Sequence, residues 1–122
     1  LIIMKKIFML LGISSLFFLG FYNPNQGILK TSLEITIRNR LGNIVQGCEV
    51  QLFGDRANYE NGTNPISEPQ TTDKKGKVLF KELEPLPYFI RAEKGKLNNF
   101  GEGEMVDTLI SGRRNKVNLI IR

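Results

Sequence analysis

The residues able to do chemistry in this sequence are few. The 122-residue chain has no histidine and a single cysteine, Cys48. A Ser/His/Asp or Cys/His nucleophile needs an imidazole to take the proton of the attacking group, so both are excluded, as is any zinc site built on histidine. Cys48 has no base partner, and it alternates with Val50 and Leu52. That phase marks a small buried hydrophobe rather than a reactive thiol. A lone cysteine also forbids an intrachain disulfide, so packing alone must stabilise the fold.

Carboxylates are what remains. Glu102 and Glu104 sit on a glycine-rich segment with Gly101 and Gly103. Two nearby acids can serve acid/base chemistry or calcium, but a calcium loop needs more acidic ligands, and acids two apart beside a strand are ordinarily solvated. The glycines lack the strand-then-helix context of a phosphate loop. A lysine–asparagine crosslink is not expected either, because no lysine falls on the apolar face of the first strand. A hydrolase using carboxylates alone would have to draw its acid and base from scattered glutamates. The expectation is therefore a non-enzyme with no catalytic residue, cofactor or metal site.

Binding is the chemistry left, and two loops could carry it. The segment 54–70 is polar and irregular, with Arg56, Asn58, Tyr59, Asn61 and Asn64 able to form a polar surface around one aromatic platform. The other reading is that Tyr59 covers the open end of the domain and the asparagines make turns. The second loop, 94–104, carries Asn98, Asn99 and Phe100 and lies either beside the first or at the opposite end. An exposed Phe100 would be its contact residue.

The elements that must hold these loops read as strands. Leu33, Ile35 and Ile37 alternate with Glu34, Thr36 and Arg38, a period of two that marks a strand with one buried face. Asn39 to Gly42 has turn chemistry, with an asparagine first and a glycine fourth. Cys48, Val50 and Leu52 make a second strand. Asp55 to Glu60 suits one helical turn capped by Asp55. Asp73 to Gly76 repeats the earlier turn, Val78 and Phe80 follow as a strand, and Leu83 closes it as an apolar plug. Tyr88, Ile90 and Ala92 share one face of the next strand. Met105–Ile110 and Lys116–Ile121 are expected as a closing hairpin across 111–115, with Val117, Leu119 and Ile121 inward. Six strands and a short one inside the long loop, with turn signals between them, predict an all-β, two-sheet antiparallel β-sandwich of about seven strands. A single sheet would leave all these aliphatic faces wet.

Leu33–Ile37, the turn Asn39–Gly42, Gly47-Cys48-Glu49-Val50, Thr72-Asp73, Gly76, Val78, Phe80, Leu83 and Tyr88 together resemble the bacterial carboxypeptidase-regulatory-like domain, a transthyretin-like (prealbumin-like) sandwich. The chain departs from that pattern at Ile44 and Cys48, where the family has Pro and Ala, and at Pro87, where it has Gly. The resemblance implies an exported module that is usually non-catalytic. A transthyretin-like relative hydrolyses a urate-derived ring with histidines, a mechanism this chain has no residues for.

Composition agrees with one globular domain: 41% hydrophobic and 24% charged residues, with a formal net charge of +5. From Gly27 onward there are 15 basic and 12 acidic residues, scattered along the chain rather than clustered, which argues against nucleic acid. Met4, Lys5 and Lys6 precede an apolar run from Ile7 to Tyr22, the charge order of a secretory leader. Residues 1–26 are thus read as a signal peptide, cleaved between Gly20 and Gly27, or as an uncleaved helical membrane anchor, and 27–122 as the sandwich. The expected setting is periplasmic or cell-surface, with a protein or glycan of the envelope as partner and contact with the membrane only through an uncleaved leader. The alternative is a membrane-tethered structural or assembly protein that docks through its sheet edges.

Overall fold

The computed structural model describes residues 30–122; the expected leader, 1–26, lies outside them. In chain order the elements are β1 (Ser32–Arg38), β2 (Glu49–Phe53), α1 (Arg56–Asn61), β3 (Gln70–Thr71), β4 (Lys77–Phe80), β5 (Tyr88–Lys94), β6 (Leu97–Asn98), β7 (Met105–Val106) and β8 (Arg114–Ile120). They form two sheets. The small one runs β4-β1-β8; the large one runs β3-β2-β5-β6, with β7 also on β5. Among the described residues no helix is long and apolar enough to cross a membrane.

The alternation read from the sequence is what closes the core. Leu33, Ile35 and Ile37 of β1 are fully buried, and Val78 and Phe80 of β4 stand beside them in antiparallel register. From the large sheet, Val50, Leu52, Ile90 and Ala92 face the same interior. Ile35, Val50, Phe80 and Ile90 therefore meet in one apolar cluster, with Leu83 packed at its margin. Each such aliphatic side chain is worth roughly 1.5–3 kcal/mol when taken out of water.

Two expectations are corrected. The closing hairpin does not form: β7 is only two residues long and pairs with β5 in the large sheet, while β8 crosses to the small sheet. The sandwich is also not purely antiparallel, because β8 runs parallel to β1 from Ser32↔Arg114 to Arg38↔Ile120. The physical reason is that Val117, Leu119 and Ile121 can bury their face against either layer, and a period of two does not say which. The crossing is fixed by polar stitches: Gly112 N–H donates to Thr31 Oγ1 at 2.8 Å, Ser32 N–H to the Arg113 carbonyl at 2.9 Å, and Asn115 Nδ2 to the Ser32 carbonyl at 3.1 Å. The expected short strand is β3, at the end of the long loop, and β6 is an additional two-residue strand.

The two look-alike turns share one mechanism. Asn39 Oδ1 accepts from the Leu41 and Asn43 amides at 3.0 and 3.1 Å, and Asp73 Oδ1 accepts from those of Lys75 and Lys77 at 2.8 and 3.0 Å. Gly76 closes the second turn at φ +74°, and a side chain there would meet the Ile37 carbonyl at 3.1 Å, so the position needs glycine twice over.

Thr72 joins the segment before β2 to the one before β4. Its buried hydroxyl accepts from Cys48 N–H at 2.8 Å and donates to the Val45 carbonyl at 2.7 Å. Thr72→Val keeps the shape and strands both partners, so urea denaturation should show a loss of about 2–4 kcal/mol, with Thr72→Ser close to the parent.

Candidate functional site

The outward face of the large sheet carries a second, smaller apolar cluster, and the site is built on it. Phe53 lies in the opposite phase to Val50 and Leu52 yet is fully buried, because α1 covers it. Tyr59 of α1 meets Phe53 edge-on, with centroids 6.2 Å apart and planes at 82°, and leans on Phe89 of β5 at 5.9 Å. Six residues of helix are too few to be stable unaided. Both ends are capped: Asp55 Oδ1 accepts from Asn58 N–H at 2.8 Å, and Gly62 ends the helix in the left-handed region at φ +68°.

Arg91 points outward from β5, since Ile90 and Ala92 point in. Its guanidinium donates to the Tyr59 carbonyl at 3.0 Å, near the C-terminal end of α1 where a cation is favoured, and lies over the Phe100 ring at 4.6 Å. One side chain thus ties the helix of the first loop to the aromatic of the second. The loops stand side by side.

Phe100 is positioned by Asn99. On the free edge of β5, β6 covers Glu93 and Lys94 while β7 covers Tyr88 and Phe89, which leaves a gap between them. Asn99, 1% exposed, fills it: its Oδ1 accepts from Ala92 N–H at 2.9 Å and its Nδ2 donates to the Ile90 carbonyl at 2.9 Å. The amide side chain does what a neighbouring strand would do and turns the next residue, Phe100, outward at 42% exposure.

The result is a concavity of about 270 Å³ lined by Arg56, Tyr59, Glu60, Arg91, Phe100, Gly101 and Glu104. Arg56 stands 3.7 Å from both Glu60 and Glu104, and its charge lies 5.2 Å from the Phe89 ring centroid. Among the described residues Arg91 makes no ion pair. Tyr59 is 6% exposed, and its hydroxyl has no hydrogen-bond partner. Burial, then the nearby Glu104 carboxylate, pushes its pKa up; the Gly101 backbone lies close enough to offset part of this without making a hydrogen bond. Two cations, two carboxylates and an exposed ring can bind a polar ligand with a flat apolar face.

Of the residues singled out in the sequence, Arg56, Tyr59 and Phe100 come together here. Asn58 accepts from Thr63 Oγ1 at 2.9 Å and donates to Asp55 Oδ2 at 3.0 Å, holding the helix start. Asn61 ends the helix, Asn64 takes a left-handed turn at φ +48°, and Asn98 Oδ1 accepts from Phe100 N–H at 3.0 Å. None of these four asparagines, nor Asn99, lines the concavity. Arg91 and Glu60 were not singled out, nor was the place of Glu104 in the concavity. The outward phase of β5 was the available signal for Arg91. Glu102 and Glu104 do not act as a pair: Glu102 binds Arg122 at 2.9 Å and Glu104 faces Arg56. No group of three metal-ligating side chains occurs among the described residues.

No protein-family model matches the chain, and no curated protein does. Among solved structures, chlorocatechol 1,2-dioxygenase from Pseudomonas putida is similar with a TM-score of 0.46 and 11% identity over 82% of this chain, which spans 63% of that enzyme's length. A candidate carbohydrate-binding protein from Pseudomonas aeruginosa is similar with a TM-score of 0.44 and 15% identity, over 76% of this chain and 89% of that one.

Cys48 is fully buried, with Sγ 3.5 Å from the Glu93 carbonyl, and burial pushes its thiol up to about 11 against an opposing hydrogen bond and Lys94. The native state therefore keeps a proton that the unfolded chain releases above about pH 9. Stability from this group is complete below that pH and fades as pH rises to about 11, by at most about 2–3 kcal/mol. Urea titrations across pH 8–11 should show a steeper decline for the parent than for Cys48→Ala. In a second test, Asn99→Ala should lose about 2–4 kcal/mol, because it orphans two buried backbone groups of β5.

Proposed function

We propose that this chain is an exported, non-catalytic β-sandwich module of the transthyretin-like, carboxypeptidase-regulatory-like type, which binds a protein or glycan of the cell envelope at the concavity beside α1. One observation carries the reading. Two loops distant in sequence are locked together by Arg91, so that Arg56, Tyr59, Phe100 and Glu104 converge on a single outward surface. The basic-then-apolar order of residues 4–22 supports export.

The recognition chemistry follows from the lining. Phe100 offers a ring to stack under an apolar face, the guanidiniums donate in planar forks, and Glu60 and Glu104 accept from hydroxyls or amides. The carboxylates are engaged with Arg56, which suits them to holding a ligand rather than to shuttling a proton. A glycan array probed with the full chain, followed by titration of the strongest ligand, tests the reading. Phe100→Ala should weaken that ligand about tenfold or more while lowering the melting temperature by only a few degrees, the loss of one half-exposed cation–ring contact. Equal binding by the variant, or hydrolytic turnover by the pure protein, would overturn it.

A further inference from the structure

We propose that the outward face of the small sheet docks on the surface of an anionic phospholipid bilayer. The basic residues look scattered in the sequence, but strand register gathers them. With Leu33, Ile35 and Ile37 turned inward, β1 presents Ser32, Glu34, Thr36 and Arg38 outward. Opposite them stand Lys77 and Leu79 of β4 on one side, and Arg114, Lys116, Asn118 and Ile120 of β8 on the other. Lys81, directly after β4, joins Ser32 and Arg114 around one notch. Arg38, Lys77, Lys81, Arg114 and Lys116 thus share a face with only two carboxylates: Glu82, which lines the notch and pairs with Lys30 at 3.3 Å, and Glu34. Glu34 is only 13% exposed, and it is already shared by Lys77 at 3.1 Å and Arg114 at 3.5 Å. Lys81 and Lys116 are exposed and make no ion pair among the described residues. The outward face of the large sheet differs in sign, with Glu49 and Glu93 directly opposed across β2 and β5.

The shape and the chain path favour a bilayer over a soluble polyanion. Three strands make a broad surface rather than a long groove, and a notch of about 370 Å³ on it has room for a phosphodiester headgroup beside Lys81, Arg114 and Leu79, with the Lys30–Glu82 pair at its rim. Ile120, 45% exposed, adds an apolar side chain among the cations, the mixture that suits a lipid headgroup layer. Lys30 is also eight residues beyond Tyr22, the end of the apolar run, so the charged end of β1 is within about 29 Å of chain from that run. Docking on this face turns the concavity beside α1 away from the membrane, because that site lies on the outward side of the opposite sheet. The inference does not depend on the ligand of that site.

Lysine footprinting of the full chain in nanodiscs tests this. On discs containing phosphatidylglycerol, acylation of Lys81 and Lys116 should slow at least about threefold relative to phosphatidylcholine discs, and high salt should restore it. Lys94 and Lys96, at the turn between β5 and β6, should react equally on both. An Arg114→Gln/Lys116→Gln variant, which sets no new carboxylate against Glu34, should lose most of the protection at Lys81 while keeping its circular dichroism. If that variant fails to fold, the parent's footprint decides alone. Equal rates for all four lysines on both discs would overturn the proposal. So would protection by a soluble anionic polysaccharide but not by discs, which would assign the face to a polymer.

Discussion

The structure depends on β1 being buried on one face and paired on both edges. Leu33, Ile35 and Ile37 have no contact with water, while the backbone of β1 bonds antiparallel to β4 and parallel to β8. A strand in that position fixes everything around it, because a one-residue slip would send three aliphatic side chains to solvent and bring Glu34, Thr36 and Arg38 into the core. The same register that buries the aliphatics therefore sets the order of charges on the outer face. Core and surface here are two readings of one alignment.

The large sheet solves a different problem, which is how to support a concave outward surface without a long rigid loop. Its outward face is covered by one and a half turns of helix, held by an Asp55 cap, a Gly62 stop and the packed rings of Phe53, Tyr59 and Phe89. Arg91 then spans from the helix end to Phe100. Long side chains lose entropy when ordered. The guanidinium offsets that cost with a hydrogen bond and a ring contact at once.

Much of the architecture was legible because it rests on local rules. Alternation marked β1, β2, β4, β5 and β8; Asn39, Asp73, Gly42 and Gly76 marked two turns; Asp55 marked the helix start. What was not legible required knowing which strand lies beside which. The partner of β8 was misread because Val117, Leu119 and Ile121 suit either layer, and the nearest strand in sequence is the ordinary guess. The convergence of Arg56, Tyr59 and Phe100 was left open for the same reason. Arg91 went unnoticed because a lone arginine at an outward strand position looks solvated until its neighbours are known.

Asn99 shows why the concavity exists at all. A full strand along the free edge of β5 would satisfy Ile90 and Ala92 just as well, but its side chains would then alternate in step with the sheet, flat against it. By ending β6 after Asn98 and letting one amide side chain bond both backbone groups, the chain leaves the ladder and can lift Phe100 over Arg91. The return through Gly101 and Gly103, at φ +82° and +58°, uses backbone conformations that larger residues rarely adopt, and brings Glu104 back against Arg56. An interrupted edge, stabilised by a buried polar side chain, is thus the local departure from sheet geometry that turns a flat face into a recess.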